Sequence, residues 1–136
     1  MKNQFKHLFH IYESNGIRTM LLYQDSYSIG RDKQNDIVLF SKLVSRCHAR
    51  LAIVPGKNRT QDSYHILDGN ATGKLSTNGI TVNNKRCTIH CLRSGDNIEI
   101  GDIKLSYYIE QAKPLHQAQL SEAADLQQVE DFAPLF

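Results

Sequence analysis

The chain has 136 residues, 40% hydrophobic and 22% charged, enough for one buried core with a few dozen residues left over. Its longest apolar runs, such as Met20-Leu21-Leu22-Tyr23, fall far short of the roughly 20 residues a membrane helix needs. The opening MKNQFKHLFHIY has neither the apolar segment nor the cleavage site of a secretory leader, so a cytoplasmic protein without membrane partners is expected.

The net charge of +2 is too mild to point to nucleic acid, and no run of aromatics offers a stacking platform. That charge is unevenly spread. Residues 1–110 hold 15 Lys and Arg against 10 Asp and Glu, +5, while residues 111–136 hold Lys113 against Glu122, Asp125, Glu130 and Asp131, −3.

Short β-type runs recur along the chain, each closed by turn residues. His7–Glu13 and Ile17–Gln24 flank Ser14-Asn15-Gly16, a strong hairpin signal. Tyr27–Gly30, Ile37–Leu39, His48–Val54, Ser63–Asp68 and Ile80–Val82 follow, then Cys87–Leu92, Asn97–Ile100 and Ile103–Ile109. Pro55-Gly56, Gly69-Asn70, Asn78-Gly79, Asn83-Asn84, Ser94-Gly95-Asp96 and Gly101-Asp102 separate them. Roughly ten strands at this spacing, with no helical period before residue 110, predict an all-β sandwich or barrel. Beyond it, HQAQLSEAADLQQVEDF is rich in helix formers, so residues 111–136 are expected to form an acidic tail, with a short helix that docks on the body or on a second copy as the first reading and a disordered tail as the alternative.

Three cysteines, an odd number, argue against a disulfide framework. Cys87-Thr88-Ile89-His90-Cys91 invites a zinc reading. On a single strand, however, Cys87 and Cys91 would lie about 13 Å apart at ~3.3 Å per residue, too far to share one tetrahedral ion. No metal and no cofactor are expected.

Three connections carry an unusual polar set. Ile29-Gly30-Arg31 leaves a strand, Ser45-Arg46-Cys47-His48 precedes one, and Ser76-Thr77-Asn78-Gly79 precedes another. Together they hold two guanidinium forks, hydroxyls at Ser45, Ser76 and Thr77, and the Asn78 amide, with no carboxylate in any of the three motifs. Arginines and hydroxyls converging without an acid describe an anion site, and a planar fork suits phosphate. A Ser45 nucleophile with His48 as base is the enzymatic reading. On a strand those two residues would face opposite ways, and no orienting acid accompanies them.

These blocks also carry a resemblance. Gly30-Arg31, Asn35-Asp36-Ile37-Val38-Leu39, Ser45-Arg46-x-His48-Ala49, Ser76-Thr77-Asn78-Gly79 with Val82-Asn83, and Leu92-x-x-Gly95-Asp96-x-Ile98-x-Ile100-Gly101 resemble, in order and spacing, a forkhead-associated (FHA) domain over about residues 5–110. The resemblance implies an eleven-stranded β-sandwich whose loops bind phosphothreonine peptides. Arg31 and Ser45 would grip the phosphate, Arg46 and Thr77 would assist, and Asn78 would bond the peptide backbone. Gly30, His48 and Gly79 would support the loops, with His48 facing inward onto loop backbone. Lys33, Lys42 and Lys74 are expected to be solvated, enriching the rim at most. The function expected is that of a non-enzymatic phosphothreonine reader coupling a Ser/Thr kinase to an effector. The alternative is an FHA-like scaffold that binds unphosphorylated partners or itself, including a dimer made through the tail.

Overall fold

A computed structural model describes residues 5–56 and 62–111. Eleven strands and no helix occur among them, and so no helix long and apolar enough to cross a membrane. The strands are β1 (Phe5–Glu13), β2 (Gly16–Leu22), β3 (Ser26–Gly30), β4 (Ile37–Val38), β5 (Ala49–Val54), β6 (Ser63–Asp68), β7 (Ile80–Val82), β8 (Lys85–Cys87), β9 (Ile89–Cys91), β10 (Asn97–Ile100) and β11 (Ile103–Gln111). They form a six-stranded sheet, order β2-β1-β11-β10-β7-β8, and a five-stranded sheet, order β4-β3-β5-β6-β9. All neighbours with a recorded register run antiparallel except β3 and β4, which pair in parallel through Ile29 with Ile37 and Gly30 with Val38.

Period-two alternation sends one side of each strand into a common core. In β6, Tyr64, Ile66 and Asp68 are buried while Ser63, His65 and Leu67 are half-buried. Phe9, Ile11, Ile29, Leu51, Ile66, Ile98, Ile100 and Tyr107 are fully enclosed between the sheets. At about 25 cal/mol per Å² this burial is the main term holding the layers together.

Two turns show how local chemistry sets register. Between β7 and β8, Asn83 (φ 53°) and Asn84 (φ 69°) both occupy the left-handed region, the type I′ arrangement that suits the twist of a two-residue hairpin. Between β10 and β11 only Gly101 (φ 62°) does so, as in a II′ turn.

The Cys87–Leu92 run is not one strand. Cys87 ends β8 in the six-stranded sheet, whereas Ile89–Cys91 form β9 in the other. The chain crosses at Thr88, where two successive exposed residues, Thr88 and Ile89, break the alternation. Cys87 and Cys91 thus belong to different layers, which replaces the single-strand geometry used above against zinc. Among the described residues no three His, Cys, Asp or Glu are grouped to hold a metal ion. The expected tail helix, and the dimer contact assigned to it, fall on residues 112–136, outside the described chain.

Candidate functional site

Three connections meet beside the end of β3. The first, Arg31–Asp36, follows β3; the second, Leu39–His48, joins β4 to β5; the third, Gly69–Gly79, joins β6 to β7. Backbone hydrogen bonds tie them together. The Arg31 N–H donates to the Ser45 carbonyl at 3.0 Å, the His48 N–H to Ile29 at 2.8 Å and the Gly69 N–H to His48 at 2.7 Å. Such pairing removes the cost of leaving loop amides unsatisfied next to the core.

His48 locks the loops from beneath. It is fully buried, and its Nδ1 accepts the Ser45 N–H at 2.9 Å. Since a backbone amide can only donate, Nδ1 carries no proton, and Nε2–H donates to the Gly79 carbonyl at 2.8 Å. Ser45 and His48 lie in a turn ahead of β5, not on a strand with opposed faces, so the geometric reason given above against catalysis is corrected. Both ring nitrogens of His48 are committed to backbone.

Gly30 fills a position no other residue suits, and a side chain at Gly79 would be strained. A Cβ on Gly30 would lie 2.1 Å from the Arg46 carbonyl oxygen and 2.8 Å from the Asn35 amide nitrogen. Gly79 sits at φ +77°, with the Arg86 guanidinium where its Cβ would go.

On this platform Arg31, Ser45, Arg46 and Thr77 line one cleft of about 480 Å³, together with Asp32, Cys47, Asn70, Lys74 and Leu75. Arg31 Nε donates to the Val44 carbonyl at 2.9 Å. That bond aims the guanidinium, and its two terminal nitrogens have no partner among the described residues. Arg31 forms no ion pair with Asp32 or Asp36 there; Asp36 instead accepts from the Ser28 amide at 2.9 Å. The Ser45 hydroxyl oxygen accepts the Thr77 N–H at 3.1 Å. Its own O–H proton is therefore left to donate into the cleft.

Asn78 stands apart from the cleft wall. Its side-chain N–H donates to the Leu43 carbonyl at 2.8 Å, which braces the β4–β5 loop. Ser76 is structural as well, its hydroxyl accepting the Gly79 N–H at 2.8 Å. Of the three lysines, Lys74 lines the cleft, whereas Lys33 and Lys42 do not.

Sequence reasoning missed several contributors. Asn35 donates from one amide nitrogen to the Asp32 carbonyl at 2.9 Å and the Arg46 carbonyl at 2.6 Å, clasping the first two loops. Asn70 takes the N–H groups of Thr72 and Lys74 on its side-chain oxygen, both at 3.0 Å, which folds Lys74 and Leu75 toward the cleft. The run Asn70-Ala71-Thr72-Gly73 carries that turn signal. Asp32 brings to the cleft wall one acid that the three motifs leave out.

The chain belongs to the FHA domain family, whose pattern matches residues 27–101. An uncharacterised protein of Synechocystis sp. is 37% identical over 100 residues, covering 71% of this chain and 14% of that protein. The crystal structure of the Slr1951 protein from Synechocystis sp. superposes with a TM-score of 0.70 at 35% identity, covering 75% of this chain and 96% of the other. A structure described as a study of phosphothreonine-dependent FHA domain interactions superposes with a TM-score of 0.62 at 28% identity, covering 81% and 99% of the two chains. The chain spans only 8% to 53% of the length of the curated relatives it matches. The family is a class of binding modules, and its fold is the two-sheet sandwich described above.

Proposed function

We propose that this domain is a phosphothreonine-peptide reader that carries a Ser/Thr kinase signal to an effector, without catalytic activity of its own. The observation that carries the reading is the convergence of Arg31, Ser45, Arg46 and Thr77 on one cleft, joined by Lys74. A phosphate at neutral pH brings about −1.5 to −2 charges and three strong acceptor oxygens. The free end of the Arg31 fork and the uncommitted Ser45 proton offer it charge-assisted and neutral donors. Arg46 and Lys74 add positive potential from the two flanking loops. Asn78, braced on Leu43, keeps an amide oxygen for the N–H of a bound peptide.

The absence of catalysis is supported by His48, whose two ring nitrogens are both spent on loop backbone. A cytoplasmic placement, where kinases and their products meet, accords with three free thiols at Cys47, Cys87 and Cys91. The test is a pull-down from lysate with and without phosphatase treatment, using wild type and Arg31→Ala. Phosphatase-sensitive partners lost in the variant are the result expected. Equal capture from both lysates would overturn the reading.

A further inference from the structure

We propose that β2 is a self-pairing edge, through which two copies join their six-stranded sheets into one continuous sheet around a twofold axis at Thr19.

Edge strands are normally kept short, charged or covered, because their unpaired backbone groups template association. Three edges here follow that rule: β4 has 2 residues, β9 has 3, and β8 has 3, of which Lys85 and Arg86 are charged. The fourth does not. β2 runs 7 residues, GIRTMLL, with one charge and no proline, and among the described residues no strand pairs with its outer side. Its single charge is answered within the chain: Arg18 donates to Glu13 at 2.8 Å and to the Val38 carbonyl at 2.9 Å.

The backbone phase follows from the β1–β2 hairpin. Glu13 faces Gly16 across a two-residue connection, which makes them the closing hydrogen-bonded pair. Bonded and non-bonded pairs then alternate along an antiparallel ladder. Tyr12–Ile17, His10–Thr19 and Leu8–Leu21 are therefore the non-bonded pairs, and the N–H and C=O groups of Ile17, Thr19 and Leu21 point away from β1. The close His10 Nδ1 to Thr19 Oγ1 contact, 2.9 Å, fits a non-bonded pair, whose side chains lie nearer each other.

These outward groups are self-complementary. In an antiparallel pair centred on Thr19, Thr19 exchanges both backbone bonds with Thr19 of the second copy. Ile17 then exchanges them with Leu21, and Leu21 with Ile17. Arg18 falls opposite Met20, so no like charges face each other across the axis.

Side chains complete the match. Ile17 is 63% exposed, Leu21 47% and Tyr12 39%, all on the outer sheet face. Pairing aligns Leu8 and Leu21 of one copy with Ile17 and Tyr12 of the other in an unbroken apolar row. The same row repeats on the far side of the axis. A dimer of this kind offers two phosphate clefts to one particle, a basis for avidity toward doubly phosphorylated or clustered ligands.

The test is sedimentation equilibrium of the full chain across a concentration series, with far-UV circular dichroism to verify folding. Average mass should climb toward that of two chains as concentration rises. Thr19→Pro removes an outward N–H and leaves the β1 ladder intact, so it should hold the mass at one chain. Ile17→Glu alone should weaken association at least tenfold. Combining it with Leu21→Lys should restore association, because the proposed register puts the new acid opposite the new ammonium. One-chain mass at every concentration overturns the proposal. So does association that survives Thr19→Pro, or a double variant no stronger than the single one.

Discussion

His48 joins its own loop to Gly79, 31 residues further along the chain: one ring nitrogen accepts the Ser45 N–H, and the other donates to the Gly79 carbonyl. Ser45, the proposed phosphate contact, and Asn78, the proposed peptide contact next to Gly79, are therefore held in register by one buried side chain. Replacing it with Ala orphans a donor and an acceptor at the edge of the core. Each unsatisfied group costs about 1–3 kcal/mol. His48→Ala should lower the urea midpoint accordingly and weaken phosphopeptide binding as well. An unchanged midpoint would show that the ring does not brace these loops.

The cleft itself is tested by Arg31→Ala and Ser45→Ala. Losing one partner of a desolvated charge pair costs about 2–5 kcal/mol, and each 1.4 kcal/mol is a factor of ten in affinity. Calorimetric titration of a binding phosphothreonine peptide should show a loss beyond tenfold for Arg31→Ala. A smaller loss is expected for Ser45→Ala, which removes one hydroxyl donor. Retained affinity in both folded variants would move the phosphate elsewhere.

Threonine and serine should be told apart. The family resemblance implies a slot for the phosphothreonine methyl, and filling a small apolar slot contributes roughly 0.8 kcal/mol or somewhat more. A phosphoserine version of a good ligand should therefore bind several-fold more weakly, which fluorescence anisotropy with matched peptides resolves. Equal affinities would argue against the slot.

Gly30→Ala tests packing without altering charge. Its Cβ would meet the Arg46 carbonyl at 2.1 Å, backbone against which no rotamer offers escape. Overpacking of this kind typically costs about 1–3 kcal/mol. Thermal melting should show the destabilisation. Binding should weaken too, because relief requires the Arg46 loop to move away from Arg31. A variant as stable as wild type would contradict the close approach.

Acid should destabilise the fold in two stages. Burial holds the His7 imidazole below its ordinary 6.5, outweighing the opposing pull of Asp62. Asp96 is pushed upward by burial, but the Arg93 N–H, the Asn83 amide and His90 together bring its carboxyl below the ordinary 3.8. Both groups hold their protons less firmly in the folded state than in the unfolded one. Each contribution is thus fully present above the unfolded value and is lost as pH falls through the folded one. Unfolding free energy measured in urea should decline below about pH 6.5 and again below about pH 4. His7→Gln should flatten the first decline and Asp96→Asn the second.

Much of this protein is readable from its residues, because the signals are local. Alternation in β6, the Gly101-Asp102 turn and the Asn83-Asn84 pair depend on backbone preferences acting over two to six residues. The family resemblance of the motif blocks implies phosphate contacts for Arg31, Ser45, Arg46 and Thr77, and folding brings those four to one cleft. What the chain does not display locally was decided by tertiary structure. No breaker marks Thr88, since the crossing between sheets is set by which neighbours Cys87 and Ile89 find, β7 for one and β6 for the other. Asn35 as a clasp, Lys74 rather than Lys42 at the cleft, and the particular carbonyl at Gly79 that His48 reaches all depend on loops brought together by the fold. Hydrogen bonds of that range carry no periodicity to read. They form only once burial of the two sheet faces has fixed where the loops end.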